Sequence, residues 1–174
     1  MNADDLVPGG FPCDQQAAIS LPPREDVVHT DHWRVAHAFN SALPGWLVLL
    51  PTRHVASFTE LTPEAADELG GLVRRLGGAL EVVTGCVKTY LMQFSETDGF
   101  SHLHLHLVPR LPNDPEDARG PIIGYDRAHH IRQSRTCDVV LASGRESADH
   151  QLVDAHLFLC SFDGESAVQA FAHA

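Results

Sequence analysis

His102-Leu103-His104-Leu105-His106-Leu107-Val108 sets three histidines in strict alternation with aliphatic residues. Period-two alternation is the pattern of a half-buried β-strand, whose residues i, i+2 and i+4 share one face at steps of about 6.5–7 Å. The spacing predicts a strand, ended by Pro109, with three imidazoles on one face and three leucines facing a core. Immediately upstream, a polar loop from Ser95 to Ser101 follows a second strand-like run, Val87 to Phe94. Earlier still, Trp46-Leu47-Val48-Leu49-Leu50 is a continuous apolar run closed by Pro51, as expected of a strand buried on both faces. The Asn40–Gly45 loop precedes it, and Val27 to Phe39 is again strand-like. Between these runs, residues 63–84 carry Leu69, Leu72, Val73, Leu76, Leu80 and Val83 at helical spacing, with Thr62 as cap, Pro63 at the first position and Gly85 as stop. Strand, strand, helix, strand, strand with short connections predicts an α+β domain.

The flanks differ in character. Residues 1–26 are rich in Pro, Gly and charge and are expected to be a loop-rich lead-in. Residues 111–174 form a C-terminal extension of unknown role: a Pro-rich, charged stretch to Pro121, short strands near Val139–Leu141 and His156–Cys160, and a short helix over Ser166–His173. The core domain is therefore expected over 27–110. With 12 basic and 23 acidic residues, the chain of 174 residues has a formal charge of −11, which argues against nucleic acid or a membrane surface as partner. No apolar run approaches the roughly 18 residues of a membrane span, and the acidic start is unlike a secretory signal. Cys13, Cys86, Cys137 and Cys160 are widely spaced with no Cys-x-x-Cys pair, so a reduced, cytoplasmic protein is expected.

Three histidines on one strand admit a metal site, a nucleophilic imidazole, or a merely solvated face. Successive same-face residues of one strand span too far to converge on one tetrahedral ion, so a metal site needs a donor from elsewhere. Nucleophilic catalysis is a second explanation, in which a neutral central imidazole attacks phosphorus and its neighbours bind the phosphate and fix the tautomer. Histidine is rare enough that chance alternation is a poor account.

The His-apolar-His-apolar-His-apolar-apolar run, with Pro44-Gly45-Trp46-Leu47-Val48-Leu49-Leu50-Pro51-Thr52-Arg53-His54-Val55 upstream, resembles the histidine-triad superfamily of nucleotide hydrolases and transferases over roughly Val27 to Arg110. Pro109-Arg110 is similar to the diadenosine-polyphosphate hydrolase branch. The resemblance implies an antiparallel sheet of about five strands with one long packed helix, paired into a homodimer. It implies hydrolysis of nucleotidyl phosphoanhydrides or phosphoramidates through a covalent nucleotidyl-histidine. By position, His104 is the nucleophile, His106 contacts phosphate oxygens and His102 supports the strand; His106, where transferases tend to carry Gln, favours hydrolysis. Asn40 falls near a ribose-binding position of relatives, Gln93 near an amide that meets phosphate or sugar, and Arg110 is placed to neutralise phosphate.

This chain also departs from the pattern. Trp46 stands where many relatives have a fourth histidine, and the loop before the triad lacks their Gly-Gln-Ser/Thr element, for which Ser95, Thr97 or Ser101 can substitute; Ser101 is the substrate-binding choice. The implied chemistry requires no cofactor. Some bacterial relatives hold a structural zinc with two N-terminal cysteines and histidines; here only Cys13 remains, to join His54 and His102, and zinc is disfavoured. The rival readings are a nucleotide-binding adaptor with weak or no turnover and a histidine-based zinc-binding protein.

Overall fold

The computed structural model describes residues 10–39, 41, 43–116 and 119–120, together with the strand placement of 141–144, 154–162 and 165–173. The central strands are β1 (Val28–His29), β2 (Trp33–His37), β3 (Leu47–Pro51), β4 (Lys88–Gln93) and β5 (Leu105–Arg110), and they form one antiparallel sheet in the order β1-β2-β3-β5-β4. Between β3 and β4 lies the long helix α2 (Pro63–Thr84). This is the expected α+β architecture.

α2 has the ends its sequence predicts. Thr62 Oγ1 accepts the Ala65 N–H at 3.2 Å, Pro63 opens the first turn, and Gly85 closes it at φ +65°, a conformation that costs glycine nothing. Its buried Leu72, Leu76 and Leu80 pack on one face of the sheet, against Trp33, Val35, Leu47, Leu49, Leu105 and Leu107. The Trp33 indole N–H donates to the Ala65 carbonyl at 2.9 Å, so the largest side chain of this core is also satisfied in its one polar atom. On the other face Ala38, Leu43, Trp46 and Val108 form a smaller cluster flanked by Val48, Tyr90 and Met92. That second face carries His106, which lies opposite Val48 on one side and Met92 on the other.

Gly45 is fixed twice over. Its φ is +78°, and a Cβ there would come within 2.6 Å of Leu80 Cδ2. The loop into β3 therefore sits directly on the end of α2, which sets the height of Trp46 on the sheet.

Four expectations need correction. Regular pairing of the histidine strand begins at Leu105, not His102, and runs on through Pro109 to Arg110. Pro109 is tolerated because pairing with β3 ends at Leu107, leaving one side of the strand open. The lead-in is not merely loop: α1 (Phe11–Ala17) and a 3-10 turn at Pro23–Glu25 pack against the sheet. Finally, the expected helix over Ser166–His173 is a strand. The C-terminal part forms a three-stranded antiparallel sheet of β6 (Leu141–Gly144), β7 (Asp154–Phe162) and β8 (Glu165–His173). Phe162 pairs with Glu165, and the two residues between them in sequence, Asp163-Gly164, are a strong hairpin dipeptide that outweighs the helix propensity of the alanines. Val139 and Val140 lie outside the described residues, while Leu141 begins β6.

Candidate functional site

The three histidines divide into two environments. His102, which precedes the paired strand, is turned into the interior and is 2 % exposed. Its Nε2 lies 3.0 Å from the Pro51 carbonyl, which can only accept, so Nε2 carries the proton. Its Nδ1 lone pair then faces Cys13 Sγ at 3.3 Å, and His54 Nδ1 approaches the same sulfur at 3.2 Å. Burial, then the neighbouring His54, and less strongly His104 and Arg34, push His102 down to about 4. It is a neutral, structural imidazole.

His104 and His106 form the accessible pair, with ring centroids 5.0 Å apart in an edge-on arrangement. His104 Nδ1 lies 2.8 Å from the His102 carbonyl, so this nitrogen donates and Nε2 is left with its lone pair. Ser95 adds a second constraint: its hydroxyl accepts the His104 backbone N–H at 3.2 Å and sits 3.1 Å from Nδ1. Ser95 has φ +50°, the one non-glycine residue at positive φ among those described, a strained conformation of the kind that collects at functional positions. His106 receives a hydrogen bond from the Trp46 indole N–H to Nδ1 at 3.1 Å. Burial, and secondarily His104, lower it to about 4. Phe94 closes the outer side, its ring 6.3 Å from that of His106.

α1 packs against the loop before the triad and against His102. The Phe11 N–H donates to the Gly99 carbonyl of the loop before the triad at 3.2 Å, and the rings of Phe11, Phe39 and Phe100 lie within 5.0–5.8 Å of one another. Farther along α1, Gln16 Oε1 accepts from Arg34 Nε at 2.9 Å. Arg34, 1 % exposed, also donates to the Glu25 carbonyl at 2.6 Å and pairs with its carboxylate at 3.2 Å. One buried guanidinium thus ties α1 and the 3-10 turn to β2.

The other residues singled out from the sequence lie in different places. Gln93 pairs with Leu105, so its register places it on the α2 face, opposite to the face that carries His106. Arg110 pairs with Lys88 at the far end of β5, six strand residues or about 20 Å from His104. Ser101 is exposed on the loop into His102, and the serine that reaches His104 is Ser95. Neither Gln93 nor Arg110 is brought to the histidine pair; Asn40 falls outside the described residues. The sequence signal for Phe94 was its place in the Tyr90, Met92, Phe94 alternation, which shares the face of His106.

Cys13 Sγ and nitrogens of His54 and His102 all lie within 4.8 Å of one another. Mixed thiolate and imidazole donors suit zinc, and a ligating histidine whose other N–H meets a backbone carbonyl, as His102 meets Pro51, is the usual supporting arrangement. The residues fit a metal ion of that kind, placed where it would fasten α1 to the strand.

Among the described residues, no helix is long and apolar enough to cross a membrane. The fold is shared with solved structures of low sequence identity. A Streptococcus mutans UA159 protein matches at TM-score 0.55 with 20 % identity, over 76 % of this chain and 88 % of that one. A HIT family protein from Bacillus anthracis matches at 0.52 with 16 % identity, over 74 % and 99 %. A member of the HIT family from Bacillus subtilis matches at 0.50 with 15 % identity, over 73 % and 98 %. The model of the HIT domain matches residues 22–113, just over half the chain and the whole of the sheet and helix that position the histidine pair. The chain belongs to the HIT-domain family.

Proposed function

We propose that this protein hydrolyses nucleotidyl phosphoanhydrides or phosphoramidates, diadenosine polyphosphates being the model substrate, through a nucleotidyl-histidine at His104. The observation that carries this reading is the 2.8 Å contact from His104 Nδ1 to the His102 carbonyl. It leaves the Nε2 lone pair free to attack the α-phosphorus, and the bond from phosphorus to the leaving group breaks with its electron pair going to that group. Water then attacks phosphorus, the P–N bond to His104 breaks, and the mononucleotide departs with the proton balance met by solvent. His106 supplies a hydrogen bond to a non-bridging phosphate oxygen, and His102 holds the carbonyl that orients His104. This chemistry draws only on the chain's own groups. A metal ion at Cys13, His54 and His102 would be structural, fastening α1 to His54 and to the segment that carries His102.

The same reading places the protein in the cytoplasm as a homodimer. β4 is an edge strand; Leu91 within it and Val87 just before it are half exposed, and Val82 of α2 is 87 % exposed, an apolar border that a second copy would cover.

The test is turnover of diadenosine tetraphosphate and of an adenosine 5′-phosphoramidate by the full chain, with His104→Ala in parallel. Hydrolysis abolished by the substitution, with a covalent mononucleotide adduct trapped on the wild type, supports the reading. Tight nucleotide binding without turnover of either compound sinks it and puts a binding adaptor in its place.

A further inference from the structure

The indole nitrogen of tryptophan is a donor and nothing else. With Trp46 Nε1 at 3.1 Å from His106 Nδ1, that imidazole nitrogen has to be the unprotonated one, and the proton of the neutral ring sits on Nε2. A cationic His106 would set two N–H groups against each other at hydrogen-bond distance. We propose that Trp46 is a positioning residue that locks His106 as the neutral Nε2–H tautomer, and that this confines the site to substrates whose leaving group departs without a proton from the histidine pair. This rests on the hydrolase reading above.

The surroundings support the lock. Trp46 is 7 % exposed and packed with Ala38, Leu43 and Val108, so the indole has little freedom to turn away. From the β3 side His106 meets Trp46 and Val48, from the β4 side Met92 and Phe94, and along its own strand His104. Among the described residues His104 is the one ionisable group that acts on it, and it too disfavours a cation. Among the described residues no carboxylate acts on it to stabilise an imidazolium.

The consequence for substrate follows from where protons are held. His104 commits its Nδ1–H to the His102 carbonyl and uses Nε2 to attack, so it has no proton to give. His106 can share its Nε2–H in a hydrogen bond, but releasing that proton would leave an imidazolate. Neither ring is an acid for the departing group. A nucleoside polyphosphate, whose terminal phosphate is stable as an anion, leaves unaided. An alkylamine must be protonated as its P–N bond breaks and finds no donor in the pair.

The experiment reads the tautomer and the selectivity separately. Histidine side-chain nitrogen–proton correlation NMR on the full chain, with His106 assigned by its loss in His106→Asn, is expected to show one Nε2–H tautomer from pH 5 to 8. Trp46→Phe keeps the aromatic packing and removes the donor; it is expected to give mixed tautomers and a ring that gains a proton nearer the ordinary histidine range. A wild-type ring that is Nδ1-protonated, or cationic at pH 6, overturns the lock without any variant having to fold. In the second arm, wild type is expected to favour diadenosine tetraphosphate over an adenosine alkyl-phosphoramidate by at least tenfold in kcat/KM. Trp46→Phe should narrow that ratio about five- to tenfold at pH 6, the range of one lost hydrogen bond. An unchanged ratio overturns the link to the leaving group. No turnover of either substrate by folded wild type refutes the hydrolase reading and the selectivity with it, while the spectrum still decides the tautomer.

Discussion

Replacing Arg34 by methionine should be among the most damaging single changes available outside the histidine pair. The guanidinium is 1 % exposed and holds three partners: Gln16 Oε1 at 2.9 Å, the Glu25 carbonyl at 2.6 Å and the Glu25 carboxylate at 3.2 Å. Methionine fills most of the stem's volume, so the loss is electrostatic more than steric. The Glu25 side chain, 7 % exposed, keeps Arg24 Nε as its remaining cation among the described residues, 3.6 Å from its other oxygen. Breaking a buried ion pair from one side costs about 3–5 kcal/mol, and depriving a buried acceptor such as Gln16 Oε1 of this donor adds about 1–3 kcal/mol. The two losses share one side chain and will not add fully, and Arg24 can swing closer to Glu25, so a loss of about 3–5 kcal/mol is expected. Urea unfolding of Arg34→Met, Glu25→Gln and the double variant measures it. The double variant should recover at least about 1 kcal/mol relative to the sum of the single changes, because the uncompensated carboxylate is then gone. A loss below about 1 kcal/mol in Arg34→Met, or strict additivity, would refute the account of this network as a buried, mutually dependent unit.

Three further outcomes are expected. Gly45→Ala, which puts a Cβ at φ +78° and 2.6 Å from Leu80 Cδ2, should cost about 2–4 kcal/mol in the same unfolding assay; a neutral effect would mean that the loop does not rest on α2 as described. Stability should fall with acid between pH 6.5 and 4: His37, His102 and His106 are each lowered, chiefly by burial, from 6.5 to about 4, so the unfolded chain binds protons first. The full contribution is present above pH 6.5 and is lost as pH falls to 4, on the order of 3 kcal/mol per group, and His37→Leu should visibly flatten the slope; a pH-independent midpoint across that range would contradict it. Zinc added at about one hundred times its Kd should raise stability by about 2.7 kcal/mol in wild type and not in Cys13→Ala, while equal shifts in both would place the ion elsewhere.

Most of the central sheet and the long helix were legible because each rests on a periodicity that one segment carries by itself. Thr62, Pro63 and Gly85 mark the ends of α2 as clearly in sequence as in space. The histidine motif was equally plain, but its division was not. Alternation gives Leu103, Leu105 and Leu107 a common face; it says nothing of the Pro51 carbonyl and Cys13, 51 and 89 residues distant, that draw His102 inward. Gln93 illustrates the same limit from the other side, since a shift of one residue in register would have put it on the histidine face. α1 carries too few residues to announce itself, and its contacts to Gly99, His102 and Arg34 are all long-range. At β8 the alanines pulled the reading toward a helix, although the Asp163-Gly164 hairpin signal stood just ahead of it.

The placement of α1 bears on where this protein can be cut. The stretch that matches its family begins at residue 22, yet Phe11, Cys13 and Gln16 lie before that boundary and touch Gly99, His102 and Arg34. A fragment trimmed to the family limits would keep His102, His104 and His106 and lose the segment that contacts Gly99, His102 and Arg34. Anyone preparing a minimal version for spectroscopy or screening should begin it no later than Gly10, and should keep bulky fusions well ahead of Phe11, whose backbone amide is already spoken for.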